Sequence, residues 1–324
     1  MSGAAALAAL AARGKAGLGR ALSEIEARPE APDTTALLDA AYAAPRGIAL
    51  GLTGPPGVGK STLTDGLIRH WRGEGRSVGV IAVDPSSARS RGALLGDRTR
   101  ITTDPEDEGV FLRSMAARDR LGGIAEITFP AMVLMRALFD RVIVETVGVG
   151  QSETAIAGLC DLVLLCAQPA SGDALQFLKA GIMEVPDIVA VTKADLGPLA
   201  ARTVADLKGA LSVTAGRQGA AAPRVLAVSA QGGGGLAELA GAVDAAAVRP
   251  EAARRAAHAA QIAAWEETQV LHRFGRAGLA ALVRRPGSPP EPAPFAAAAR
   301  RSGRFDAALQ HVLAEISAAP QQFP

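Results

Sequence analysis

The chain has 324 residues, 49% of them hydrophobic and 20% charged, enough to bury the core of one large α/β domain with helical additions, or of two modest domains. The 34 basic and 32 acidic residues leave a net charge of +2 with no long basic run, which excludes an electrostatic argument for a nucleic-acid partner. Two cysteines rule out a disulfide scaffold, and an aromatic content of 3% makes the expected core aliphatic.

The opening MSGAAALAALAARGKAG has no positive charge ahead of its Ala-rich part, so it reads as a helix with Arg13 and Lys15 on the wet face and not as a leader. No apolar run reaches the roughly 18–20 residues that a membrane span needs. The expectation is a cytoplasmic protein with no membrane association. Residues 4–44 read as helices, with LGRALSEIEA apolar at helical spacing and TTALLDAAY following a Pro-rich break at 29–32. From residue 47 short apolar runs alternate with longer helical stretches: GIALGLT (47–53), VGVIAVD (78–84), VFLRSM (110–115), RVIVET (141–146), DLVLLCA (161–167), DIVAVTK (187–193) and RVLAVSA (224–230). Runs of Val, Ile and Leu without polar alternation predict strands covered on both faces, hence a mostly parallel sheet flanked by helices. Cys160 and Cys166 fall in or beside one such run and read as small buried hydrophobes. After about residue 246 the strand pattern stops. Helices are predicted over 251–284 and 297–317, separated by the Pro-rich PGSPPEPAP. The fold class is α/β, divided into a helical extension (1–45), a P-loop domain (46–246) and a helical arm (247–324).

The chemistry begins at GPPGVGKS, residues 54–61, which matches G-x-x-x-x-G-K-[ST] at every fixed position. It follows the strand pattern IALGLT and opens the helical STLTDGLIRHW. In such a loop, formed by Gly54, Pro55, Pro56, Gly57, Val58 and Gly59, the glycines let the backbone N–H groups of the non-proline residues fold around phosphate oxygens, Lys60 adds a point charge, and Ser61 and Thr62 offer hydroxyls. A hydroxyl at Ser61 suits Mg²⁺. Three carboxylates stand where they can share that ion: Asp84 after VGVIAV, Asp97 in the loop GALLGDRTR, and Glu145 at the end of RVIVE. Downstream, Thr192-Lys193-Ala194-Asp195 follows a strand and matches the N/T-K-x-D element in which a carboxylate accepts from guanine's N1–H and exocyclic amine. Ser229 and Ala230 match the element whose backbone N–H meets the guanine oxygen. Order and spacing behind the P-loop favour GTP and GDP over adenine nucleotides. Composition agrees. Only five of the basic residues are lysines (15, 60, 179, 193 and 208), and two of them fall in these motifs, where a planar guanidinium does not substitute.

Taken together, the P-loop, VIAVDPSS (80–87), LGDRTR (95–100), RSMA (113–116), LGG (121–123) and VIVETVGVGQSET (142–154) resemble the methylmalonyl-CoA mutase-associated GTPases of the MeaB/ArgK type. These are SIMIBI-class P-loop proteins that act as chaperones for adenosylcobalamin-dependent mutases. The resemblance runs from about residue 14 to about 245. It implies that Lys60, Asp84, Asp97, Glu145 and Gly148 serve the phosphates and Mg²⁺. It further implies that QPASGDALQFLKAG (168–181), with Gln168, Asp173 and Lys179, is a switch facing the mutase, and that a C-terminal arm makes a homodimer. The chain departs from the family at Ala88 and Arg91, in RDRLGG (118–123), and through most of its last third.

Val149 stands where Ras-like GTPases keep a water-orienting Gln, and Gln151 is out of register for that role. Slow intrinsic hydrolysis follows, on the scale of the roughly 10⁻⁴ s⁻¹ of unassisted Ras-type sites, with a partner stimulating turnover. Arg89, Arg91, Arg98 and Arg100 are candidates to reach the γ-phosphate once that partner docks. The alternatives are an ATP-dependent P-loop kinase of a small metabolite and a nickel-delivery type of GTPase. The kinase would lack the TKAD and Ser-Ala pair. The nickel type would carry clustered Cys and His, whereas the four histidines here (70, 258, 272 and 311) are scattered.

Overall fold

The computed structural model describes residues 2–85, 104–117, 127–146, 156–169, 186–218, 222–282 and 291–318. Three helices come first: α1 (Gly3–Ala12), α2 (Gly14–Ala27) and α3 (Pro32–Ala43). Ser2 starts α1 by accepting the Ala5 N–H at 3.3 Å, and α3 starts with Pro32 at its first position, where a missing N–H costs nothing. Strand β1 (Ile48–Thr53) then leads through the glycine loop into α4 (Lys60–Gly73). β2 (Val78–Pro85), β3 (Val110–Ala117), α5 (Thr128–Leu138) and β4 (Arg141–Glu145) follow. The second half holds β5 (Leu162–Ala167), β6 (Ile188–Val191), α6 (Pro198–Gln218), β7 (Arg224–Ala227) and α7 (Leu236–Ala247). Two long helices end the chain, α8 (Glu251–Ala281), kinked at Gly275, and α9 (Pro294–Ala318).

All seven strands pair in parallel, in the order β3-β2-β4-β1-β5-β6-β7. The run 110–115 is therefore a strand, at the sheet's edge. Side chains alternate between two covered faces, as period two demands. On β4, Val142 and Val144 face the core formed with α2, α3, α5, α8 and α9. Ile143 faces the other core, under α4 and α7, beside Leu63, Leu67 and the fully buried Trp71. α6 covers β5 to β7 through Leu207 and Leu211. Four of the few aromatic residues gather on the first face: Phe129, Trp265 and Phe295 stack or tilt with centroids 5.3–6.1 Å apart, and Tyr42 meets Phe295 edge-on at 6.5 Å. This patch ties the terminal helices to the sheet, so the core there is not aliphatic throughout. Both cysteines are buried and free.

The chain runs from β1 outward through β2 and β3, then re-enters beside β1 as β4 and crosses to β5 on the other side. Such a reversal opens a crevice at the carboxyl ends of the strands, where open α/β sheets bind ligands. The P-loop, Glu145, Gln168, Thr192–Asp195 and Ser229 all leave strands at that end.

Candidate functional site

Gly54 leaves β1 at φ 140°, and a Cβ there would lie 2.4 Å from the Cys166 carbonyl oxygen, so only glycine fits. Gly57 (φ 73°) and Gly59 (φ 100°) also use positive φ, and this curls the loop into the start of α4 with its N–H groups at the helix's positive end. Val58 anchors the loop by burying its side chain among Leu63 and Leu67, while Pro56, Gly57 and Thr62 face solvent. Lys60, 8% exposed, folds back over the loop and donates to the carbonyls of Gly54 (2.8 Å) and Pro55 (3.1 Å). The thiol of Cys166, buried beneath, is pushed up to about 12 by desolvation and acts as packing.

The metal side is built from α4 and β4. Ser61 donates to Glu145 Oε1 at 2.8 Å, and Thr64, one turn on, donates to Glu145 Oε2 at 3.0 Å. Glu145 is 6% exposed and sits on a strand flanked by β1 and β2, in register with Leu52 and Ala82. A hydroxyl and a carboxylate this close form the hard oxygen set that suits Mg²⁺. Thr64 is a residue that motif reading missed. Its signal was a hydroxyl three residues after Ser61, at a helix position that faces the sheet. Asp84 is the penultimate residue of β2, at the same end of the sheet and in register with Ala116 of β3. Its side chain lies outside the described residues, as do Asp97, Gly148, Val149, Gln151, Asp173, Lys179 and the four arginines between 89 and 100.

The residues predicted to read the base converge on the same crevice. The Thr192 hydroxyl lies 2.6 Å from the Val58 carbonyl and 3.1 Å from that of Ala167, so it bridges the P-loop and the end of β5. Lys193 takes φ 54°, the one positive φ outside glycine among the described residues. Its ammonium donates to the Gly57 carbonyl (3.1 Å) and to Gln168 Oε1 (2.8 Å). Next, the Ser229 hydroxyl donates to Asp195 Oδ1 at 2.7 Å and accepts the Gly232 N–H at 3.2 Å. Asp195 is exposed at the crevice with one oxygen oriented by this relay, and Ala230 follows at the rim. The geometry joins Gly54–Thr62, Glu145, Gln168, Thr192–Asp195 and Ser229–Ala230 in one place. The arrangement brings together a glycine loop with N–H groups suited to an anion, a hydroxyl–carboxylate pair suited to a hard cation, and an oriented carboxylate suited to paired N–H donors.

The far ends of the strands hold a buried ionic cluster that no motif announced. Asp161, just before β5, accepts from Arg136 (3.0 Å) and the Ala49 N–H (2.8 Å), and shares a 2.8 Å hydrogen bond with His258 of α8. Burial pushes its carboxyl up, but the His258 hydrogen bond and the Arg136 and His258 charges outweigh this and bring it to about 2.

Comparison with known proteins agrees with this geometry. A putative GTPase of Pyrococcus abyssi is 52% identical over 147 residues, 45% of this chain and 45% of that protein. The mouse mitochondrial methylmalonic aciduria type A homolog is 41% identical over 194 residues, 59% of this chain and 46% of that one. The chain thus spans about half the length of these curated relatives. A crystal structure of the LAO/AO transport system kinase superposes with a TM-score of 0.63 at 29% identity, covering 83% of this chain and 87% of that one. The model of the family described as methylmalonyl Co-A mutase-associated GTPase MeaB matches residues 18–279, and the chain belongs to that family.

Proposed function

We propose that this chain is a Mg²⁺-dependent GTPase that assembles, protects or reactivates an adenosylcobalamin-dependent acyl-CoA mutase, with methylmalonyl-CoA mutase the leading partner. The observation that carries the guanine reading is the Ser229–Asp195 hydrogen bond beside Thr192, whose hydroxyl meets the P-loop carbonyl of Val58. An aspartate held in this way accepts from two N–H donors that adenine does not offer. Membership of the MeaB family supports the mutase as partner.

Ser61 and Glu145 would hold Mg²⁺, with Asp84 and Asp97 as further oxygen donors predicted from sequence. Bound there, the ion would neutralise negative charge on the nucleotide's phosphates. Lys60 and the N–H groups of the P-loop bind the phosphates, and Asp195 and Ser229 fix the base. Turnover is slow without the partner, because Val149 cannot orient water. The segment 168–181, with Gln168, Asp173 and Lys179, carries the nucleotide state to the mutase, and the helical arm (247–324) supports a homodimer. The same reading takes 1–45 as a helical extension and 46–246 as the nucleotide domain, in a cytoplasmic protein.

The test is GTP turnover by the purified chain, alone and with methylmalonyl-CoA mutase from the same genome, using ATP and an Asp195→Asn variant as controls. Slow turnover limited to GTP that rises with the mutase is the expected result. Unchanged turnover with that mutase would redirect the search to another acyl-CoA mutase. Preference for ATP would overturn the guanine reading and favour a kinase.

A further inference from the structure

The metal half of the site contains one residue that belongs to no motif. Thr64 lies one turn beyond Ser61 on α4, fully buried between Leu63 and Leu67, which pack against the sheet. A hydroxyl in an apolar wall is destabilising unless it is bonded. This one donates its proton to Glu145 Oε2 at 3.0 Å, while the Ser61 hydroxyl takes Oε1 at 2.8 Å. Spacing of i, i+3 puts both hydroxyls on one face of the helix. A glutamate, one methylene longer than an aspartate, reaches across from β4 to both.

We propose that Thr64 is a positioning residue for the metal, and that by holding Glu145 Oε2 it keeps Oε1 turned onto Ser61. A Ser61 hydroxyl whose proton is committed to Glu145 presents its oxygen purely as an acceptor, the form that a hard cation needs. When Thr64 loses its hydroxyl, Glu145 has one buried oxygen without that donor and a freer side chain, so the Ser61 oxygen is no longer held ready. The effect falls on Mg²⁺ affinity and leaves the phosphate cradle and the base-reading residues as they are. The inference rests on the Mg²⁺–guanine-nucleotide reading above and goes further by assigning the strength of the metal step to a side chain that does not touch the ion.

The experiment measures GDP binding by calorimetry on the full chain, first in EDTA and then across a Mg²⁺ titration, for wild type, Thr64→Val and Thr64→Ser. Valine has threonine's shape without the hydroxyl, and serine keeps the hydroxyl without the methyl. Thr64→Val should bind GDP as wild type does in EDTA but need about tenfold more Mg²⁺ to reach half of the metal-dependent tightening, the loss of one hydrogen bond to a charged group. Thr64→Ser should return to the wild-type titration. A Thr64→Val titration that overlays wild type overturns the proposal and leaves the GTPase reading standing. So does a Thr64→Ser variant as impaired as Thr64→Val, or a Thr64→Val variant already weak in EDTA, since either makes the residue a matter of packing. Wild-type GDP binding that does not respond to Mg²⁺ overturns the functional reading and this inference together. Should Thr64→Val fail to fold, Thr64→Ala removes the hydroxyl without adding bulk and is judged by the same criteria.

Discussion

Replacing Asp161 with Asn should uncouple the C-terminal helix α8 from the sheet without disturbing the nucleotide site. Asp161 is the counter-ion of Arg136, whose side chain is 1% exposed, and hydrogen-bonds His258, at 6%. Gln261, one turn beyond His258, accepts from Arg136 at 3.3 Å and donates to the Cys160 carbonyl at 2.9 Å, so two turns of α8 hang on this cluster. Asparagine preserves the shape and removes the charge, leaving a buried guanidinium uncompensated. Losing one partner of a buried ion pair costs about 3–5 kcal/mol, and the acceptor that Asn retains puts the expectation at the lower end, about 3 kcal/mol. Titration gives a second route. Lowering the carboxyl from 3.8 to about 2 corresponds to about 2 kcal/mol at neutral pH. Because the folded-state value is depressed, this contribution is complete above the ordinary 3.8 and is lost as pH falls toward 2. Urea unfolding followed by tryptophan fluorescence reads the effect, since Trp265 of α8 stacks on Phe129 with centroids 5.7 Å apart. The gap between wild type and Asp161→Asn should be about 2–3 kcal/mol at pH 7 and narrow below pH 4, with GDP affinity unchanged. A gap below about 1 kcal/mol, or one that does not shrink on acidification, would refute the assignment of Asp161 as the clamp of α8.

Three further outcomes follow from single contacts. Asp195→Asn should weaken GDP by at least about tenfold and leave ADP unchanged, because one of two paired acceptor contacts to guanine becomes a donor facing a donor; competition binding with the two nucleotides measures it. Gly54→Ala should abolish nucleotide binding and destabilise the chain by about 1–3 kcal/mol, since its Cβ would sit 2.4 Å from the Cys166 carbonyl at a φ of 140°; thermal melts with and without GDP show both effects. Asp39→Ala should cost about 1 kcal/mol and loosen α9, because Asp39 accepts the Phe295 (2.7 Å) and Ala296 (3.1 Å) N–H groups at the start of that helix; chemical denaturation gives the first and proteolysis near residue 294 the second.

The inner strands were legible because they are buried on both faces and therefore Val-, Ile- and Leu-rich, and each run from IALGLT to RVLA became a strand of one parallel sheet, the partly exposed edge strands β3 and β7 included. The glycine loop was legible because backbone geometry fixes its spacing: Gly54 and Gly59 take positive φ, and Lys60 opens the helix. What stayed hidden depends on separation in sequence or on chemistry that ordinary residues share. Asp161 and His258 are 97 positions apart, and a lone histidine among scattered ones carries no sign of a buried carboxylate partner. Asp39 looked like any helix acid, although it caps a helix more than 250 residues away. Thr64 is invisible for the opposite reason, because a threonine one turn after the P-loop serine reads as filler until Glu145 is placed above it.

The contacts at the crevice divide the site into two halves with different duties. On the base side, Thr192 meets both Val58 and Ala167, and Lys193 spans Gly57 and Gln168, so three strand-end loops hold one another through bonds that do not involve a ligand. Preorganisation of this kind lowers the cost of ordering on binding, and under the proposed function the guanine contacts would be common to GTP and GDP. A half that meets both nucleotides identically cannot distinguish them, since a ligand shifts an equilibrium only by its differential affinity for the two states. On that reading, discrimination would come from the side proposed to meet the γ-phosphate and the metal. There the described residues are Lys60, Ser61 and Glu145, with Thr64 behind them, and β4 hands directly from Glu145 and Thr146 into the segment that contains Val149. On the proposed function, the orientation of one carboxylate at the end of β4 is where a metal-dependent difference would enter the backbone, and its anchoring by two hydroxyls of α4 would set how sharply the nucleotide state is reported.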